Sequence, residues 1–374
     1  MIPSVAIVDP RRDLKFLDSN GRPLPGLGQP ELMWADWSAA RTERTAHSWP
    51  TWSPDGTRIA VFRQHASTSE THVYVTDVGG ARAAELMNLE RKLPIHLEWS
   101  PGGEALAVLC QQSNRLVLEL LDAPNPGRRV PVASGSPLFY SWADAQQLAV
   151  FIGRPDSGSE LRLVGPSSQT TLPGVPGNFC TPVHSGGEVL YVAHRSAQVE
   201  LLAARPTGEV RVIEEVDGLM ALVPSADGAR VAKAVAERDG APYRRLSVLD
   251  PATGAQSALA DIPLLAFFWS PAGDAVIGAR QEPDEPHVTW YRLGLDGSKL
   301  PLFRHVPSRD LAFWLRFFEQ YCVSHPCIDA GGRHLILGGF EDERTGDSTL
   351  WRVPLDGGPV ESVGPGVLAV CGPR

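Results

Sequence analysis

His47, His96, Glu98 and His325 are the side chains of this 374-residue sequence best suited to acid–base or metal chemistry. A neutral imidazole trades protons near neutral pH and ligates divalent metals, and a nearby carboxylate can fix its tautomer or complete a ligand set. Each stands in a short alternating run. His47, Trp49 and Thr51 would share one side of a strand, as would His96 and Glu98. Tyr140, Asn178, Cys180, Tyr321 and His325 take matching places further on. If those strands line one channel, the three histidines and Glu98 gather at its mouth. Polar side chains that only organise channel water give the same pattern, and both readings stay open.

Other constellations are thinner. Cys322, His325 and Cys327 form a Cys-x-x-His-x-Cys group, with His325 and Cys327 expected on one side of an extended strand. Zinc takes four ligands, usually as two close pairs, and no second pair follows. The expectation is a buried structural thiol and no metal or cofactor. Glu282-Pro283-Asp284-Glu285 and Glu341-Asp342-Glu343 lack the calcium-loop spacing and read as solvated loops. Gly-x-Ser-x-Gly, His-Glu-x-x-His, phosphate-loop and dinucleotide signatures are absent.

The elements that would position these groups repeat. Trp52-Ser53-Pro54-Asp55-Gly56 recurs in weaker form, registered on Ser53, Ser100, Trp142, His184, Ser225, Ser270 and Asp329. The steps are 41 to 47 residues, with a last one of 59. In each copy Pro presets φ, Asp bonds its own backbone, and Gly takes the positive-φ position. A strand such as Ile59-Ala60-Val61 or Leu106-Ala107-Val108 follows, then alternating strands such as His72 to Asp77. Four antiparallel strands per period in the forties predict one blade of a β-propeller.

Both ends of the chain complete the count. Cys371, Gly372 and Pro373 stand at the Trp-Ser-Pro places, while Ser4 to Val8, Leu14 to Asp18 and Arg22 to Leu24 read as the remaining strands of one shared blade. We therefore expect an all-β chain, residues 1–374 forming a single propeller domain of eight blades (seven with a looser N-terminal strand), closed by pairing of its first and last strands. Closure removes sheet edges that would otherwise aggregate.

The unit Trp-Ser-Pro-Asp-Gly-x-x-Ile-Ala at Trp52 to Ala60 resembles the repeat of TolB-type propellers, also seen in tricorn-like and prolyl-oligopeptidase-like ones. The resemblance covers nearly the whole chain and implies a propeller. Members serve as periplasmic binding scaffolds, peptidase gating domains or partner-docking modules. No segment after the repeats would hold a hydrolase domain, so the peptidase likeness stops at the propeller.

Composition narrows the classes. The net charge of −9 argues against a nucleic-acid groove. No eighteen-residue apolar run predicts a membrane span. Residues 1–11 lack a basic region followed by an apolar core, so no secretory leader is expected. TolB is exported, and here the chain departs from it. The five cysteines have no framework spacing and suit reduced thiols in a bacterial cytoplasm.

Two connections are long. One spans about residues 26–46 and carries Trp34 and Trp37, with Trp49 at the following strand. The other spans about residues 303–321, where Ser308 can cap a helix whose apolar face is Leu311, Trp314, Leu315 and Phe318. Both are expected in blade-to-blade connections on one face. Trp34, Trp37, Trp49, Trp314, Phe317 and Tyr321 would then form a surface for a protein or peptide partner. Equally, these aromatics could pack on the propeller end. The two functional readings are a non-enzymatic docking scaffold and, as the alternative, a lyase- or hydrolase-like enzyme or small-ligand receptor using His47, His96, Glu98 and His325.

Overall fold

The computed structural model describes residues 4–373, apart from segments 19–21, 25–44, 66–67, 79–82, 155–157, 177–180, 196–197 and 343–345 and positions 23, 69, 167 and 206. The fold is a β-propeller of antiparallel, mostly four-stranded blades. Blade 1 runs Thr45–Trp52, Arg58–His65, Thr71–Asp77 and Ala83–Asn88, each strand pairing the next. Blades 2, 3, 5 and 6 open on Leu93–Trp99, Leu138–Trp142, Leu219–Pro224 and Ala266–Trp269 and follow the same order. In the last blade Val5–Val8 pairs with both Leu14–Leu17 and Leu368–Cys371, with Val5 opposite Cys371. The amide of Leu24 adds to its edge by donating to Phe16. The two ends of the chain thus share a blade, as the sequence predicts.

The chain divides into two compact units. One holds residues 1–132, 303–314 and 323–374; the other holds 133–302 and 315–322. Each has alternating apolar strands over its own core, for example Leu190, Leu201, Leu222 and Leu249 in the second.

The repeated residues have structural tasks. The Ser53 hydroxyl is buried; it donates to Asp55 (2.5 Å) and accepts the Arg58 amide (2.9 Å), closing the turn. Ser225 does the same with Asp227 and Arg230. The repeat tryptophans tie neighbouring blades together. The indole of Trp99 donates to the Thr51 carbonyl (3.1 Å), that of Trp52 to Val370 (3.0 Å) and that of Trp269 to Val223 (2.9 Å). Each acceptor lies one residue before the counterpart of tryptophan in the preceding blade, which confirms Cys371 at the Trp place. Arg58 crosses the same seam to the Gly103 carbonyl (2.6 Å) while its guanidinium covers the Trp99 ring.

Two expectations need correction. In the third and fourth copies the turn begins one residue later than read from spacing. The amide of Ala143 bonds to Gln147, and Ser185 faces Glu188 and donates to Gly228, so Trp142 and His184 are counterparts of Trp52 rather than Ser53. The loss of Pro, Asp and Gly in these copies left spacing alone to set register, and spacing tolerates a slip of one.

The second correction concerns the long insertion. It interrupts the first strand of blade 7 instead of preceding it. Val306 and Pro307 pair with Phe340 and Gly339, the chain departs at Ser308, and it rejoins the same partner strand where Ile328 faces Leu335. Blade 4 is split in a similar manner: Val175–Pro176 and Val183–Ser185 both pair with Glu188–Arg195.

Candidate functional site

The insertion folds as the helix α1 (Arg309–Arg316) and the short helix α2 (Phe318–Tyr321). Ser308 caps α1, its hydroxyl accepting the Leu311 amide at 3.1 Å. Leu311, Trp314, Leu315 and Phe318 are buried along one face, as their spacing predicts.

In the first unit the chain beyond α2 lies on the first strands of blades 1 and 2. The Ser324 hydroxyl sits 2.8 Å from His96 Nε2 and 2.8 Å from His325 Nδ1. Thr51 donates to the Ser324 carbonyl (3.0 Å) and the Trp314 indole to the His325 carbonyl (3.1 Å). Both strands carry a bulge here, between Ser48 and Thr51 and between Pro94 and His96. Trp49, in the first bulge, has φ +54°, a left-handed conformation that costs a bulky residue about 1–3 kcal/mol. Its ring is held between Phe313 (5.4 Å) and His325 (5.8 Å). The bulges break the simple alternation expected for His47, Trp49 and Thr51.

This cluster is buried. His96 and His325 are fully buried, and burial takes the imidazole of His325 down to about 3 and that of His96 well below its ordinary value. Glu98 is pushed up to about 8 by burial, and its Oε2 has no hydrogen-bond partner among the described residues. At neutral pH all three are uncharged. Neutral imidazoles this weakly basic hold a hydroxyl in place; they do not take its proton, since a general base works best with a pKa near the operating pH. No group of three or more His, Cys, Asp or Glu side chains that could hold a metal converges among the described residues.

His47 stands apart from this cluster. Its Nδ1–H donates to the Arg12 carbonyl (3.1 Å), and burial takes its imidazole down to about 4, so Nε2 keeps a lone pair. It lines a cleft of about 1020 Å³ in the first unit. One wall is the blade 1 to blade 2 connection, Asn88 to Pro94; Glu70 and Thr71 form another. Arg12 and Asp310 close it with an ion pair of 2.6 Å. Ala46, the last residue of the first insertion, and Asp310, in the second, both line this cleft.

In the second unit α2 makes buried contacts. The Gln320 carboxamide accepts the Tyr140 amide (3.3 Å) and donates to the Tyr140 carbonyl (2.8 Å). Glu319 accepts from the Thr181 amide (3.3 Å) and the Tyr243 hydroxyl (3.2 Å). Burial still pushes its carboxyl up to about 8. Phe318 packs on Phe267 and Tyr243.

The predicted aromatic surface is mostly interior. Trp49, Trp314 and Tyr321 are buried and serve packing, and Phe317 is half-buried with Arg316 over its ring. Trp34 and Trp37 lie outside the described residues. Of that helix Phe313, 36% exposed, is the aromatic that reaches solvent. His325 occupies a bend after α2, not the extended strand expected from the Cys322–Cys327 spacing. Ser324, Gln320, Arg91 and Leu93 carried no motif in the sequence; the exposed Leu93-Pro94 step at a strand entry was the one available signal.

No protein-family model matches the chain, and no curated protein does. Among solved structures it is similar to a eukaryotic initiation factor, at 12% identity over 100% of this chain and 99% of that one, with a TM-score of 0.57. It is also similar to an oligogalacturonate lyase in complex with manganese, at 12% identity over 98% and 85%, with a TM-score of 0.50. TolB from Acinetobacter baumannii is a further structural neighbour, at 17% identity over 77% and 75% and a TM-score of 0.44. Identities this low speak to fold alone, and the fold they share with this chain is a propeller carrying diverse tasks.

Proposed function

We propose that the chain is a non-enzymatic propeller module that binds a protein or peptide partner where its two insertions meet blade 1. The observation that carries this reading is the 1020 Å³ cleft bordered by Ala46 and His47 on one side and Asp310 on the other. Regular blades bury their own surfaces; an open cleft placed where the repeat is broken is where binding residues usually sit. Structural neighbours that include an initiation factor and a lyase do not choose between scaffold and enzyme. The buried, weakly basic state of His96 and His325 favours the scaffold. The free thiols of Cys110, Cys327 and Cys371 suit a reducing compartment, and we place the protein in the cytoplasm.

The test is affinity capture from cells that make the protein natively. Wild-type chain and a Phe313→Ser, Asp310→Lys double variant of equal thermal stability are compared. Partner recovery should fall to background with the variant, and equal recovery refutes the reading.

The second reading keeps His47, His96, Glu98 and His325 as a channel-mouth site. The chain of hydrogen bonds from His96 through Ser324 to His325 favours it. It requires bound metal or altered small-ligand binding in His96→Ala and His325→Ala variants; metal analysis and calorimetry of the purified protein decide.

A further inference from the structure

The cleft beside blade 1 presents a preformed set of charges. The connection between blades 1 and 2 is a tight turn: the Asn88 side chain accepts the Glu90 amide (2.7 Å), and the Lys92 amide donates to Leu89 (3.0 Å). Glu90 holds φ +57° within it. This geometry exposes Glu90 and Arg91 side by side. Other charges on the walls are spent internally, Arg12 on Asp310 and Lys92 on Glu119. Glu90 and Arg91 form no ion pair among the described residues. Leu93, 60% exposed, and Pro94 add an apolar step beside them. His47, 7% exposed, also lines the cleft, its Nδ1 held on the Arg12 carbonyl.

Resting on the binding role proposed above, we infer that this cleft receives an extended peptide segment of a partner protein, one carrying an acidic and a basic side chain around an apolar residue. The acidic group answers Arg91, the basic group answers Glu90, and the apolar residue covers Leu93. Small-molecule sites are enclosed mainly by apolar walls at volumes up to about 1000 Å³. Here twelve of the fifteen lining residues are of charged or polar type, their exposed surface is close to evenly polar and apolar, and the volume is already at that limit. An extended peptide supplies alternating side chains and regularly spaced backbone donors, which such walls match.

The experiment selects short random peptides displayed on phage against the immobilised full chain. Enriched sequences should carry both charges flanking an apolar residue. A fluorescent copy of the best peptide is then titrated with wild type, Arg91→Glu and Glu90→Lys, whose exposed positions leave folding intact as checked by thermal melting. Each charge reversal should weaken binding about tenfold or more, and reversing the matching charge on the peptide should restore it. No enrichment overturns the inference, as does equal binding by both variants. A panel of free amino acids and small sugars is scanned in parallel. If one of them raises Tm in wild type but not in Arg91→Glu, and no peptide is enriched, the cleft is a small-molecule site and the inference fails. Partner capture that survives Arg91→Glu but is lost with the Phe313→Ser, Asp310→Lys variant would leave the binding role standing and remove this cleft chemistry alone.

Discussion

The Ser324 hydroxyl lies 2.8 Å from a nitrogen of His96 and 2.8 Å from one of His325. A hydroxyl has one proton, so it donates to one imidazole and accepts from the other, and the two tautomers are locked together. With both rings uncharged and buried, this is a polar clasp that fastens the insertion to the first strands of blades 1 and 2.

A clasp and a catalytic serine respond differently to chemistry. Ser324→Ala should cost about 1–3 kcal/mol in urea unfolding, since it strands buried imidazole nitrogens. Wild-type chain should remain unlabelled by a fluorophosphonate probe in intact-mass analysis. Stoichiometric labelling at Ser324 would make it a nucleophile and contradict the clasp.

Gln320 in α2 satisfies both backbone groups of the fully buried Tyr140. Gln320→Leu keeps the volume but orphans an N–H and a C=O, and should lower stability by about 2–4 kcal/mol. Val323→Ser, 61% exposed just beyond α2, should change stability little by the same denaturant measurement. Equal effects would mean that α2 is not anchored through Tyr140.

The seam between blades 1 and 2 depends on the repeat itself. Arg58→Ala removes the hydrogen bond to Gly103 and the guanidinium over Trp99, 4.7 Å from its centroid. The expected loss is about 1–2 kcal/mol in chemical denaturation. Trp99→Phe should cost a similar amount by deleting the donor to Thr51, and the two should be non-additive because they share one contact.

Much of this was written in the residues, and the limits are instructive. Trp52, Trp99 and Trp269 with their serine turns dictate blade edges because indole, hydroxyl and carboxylate each have one geometric partner in a hairpin. Ser308 and the Leu311, Trp314, Leu315, Phe318 spacing specify α1 for the same local reason. What stayed hidden depends on non-local encounters. That the insertion leaves midway through a blade 7 strand, or that Trp314 points inward to His325, follows from which distant strand it meets. Periodicity finds an apolar face but not what covers it, so a docking surface and packing on the propeller end both fit these aromatics.

The pH dependence of stability follows from buried carboxyls and imidazoles, His96 acting in the same direction as His47 and His325. Glu98 and Glu319 stay protonated in the folded chain to about 8, against 4.5 unfolded, so the folded state binds more protons between these values and stability falls as pH rises through them. His47 and His325 hold folded values of about 4 and about 3 against 6.5 unfolded, so the folded state binds fewer protons there and stability falls as pH drops below 6.5. Melting curves across this range should show Tm declining on both sides. Glu98→Gln should flatten the alkaline limb and His47→Asn the acidic one. An unchanged alkaline slope in Glu98→Gln would show that its carboxyl is ionised in the fold.

The binding role is tested most directly by hydrogen–deuterium exchange of the chain with and without its captured partner. The account predicts new protection over the Asn88 to Pro94 connection and the first turn of α1 at Asp310. Protection confined to other blades, or none anywhere, would contradict it.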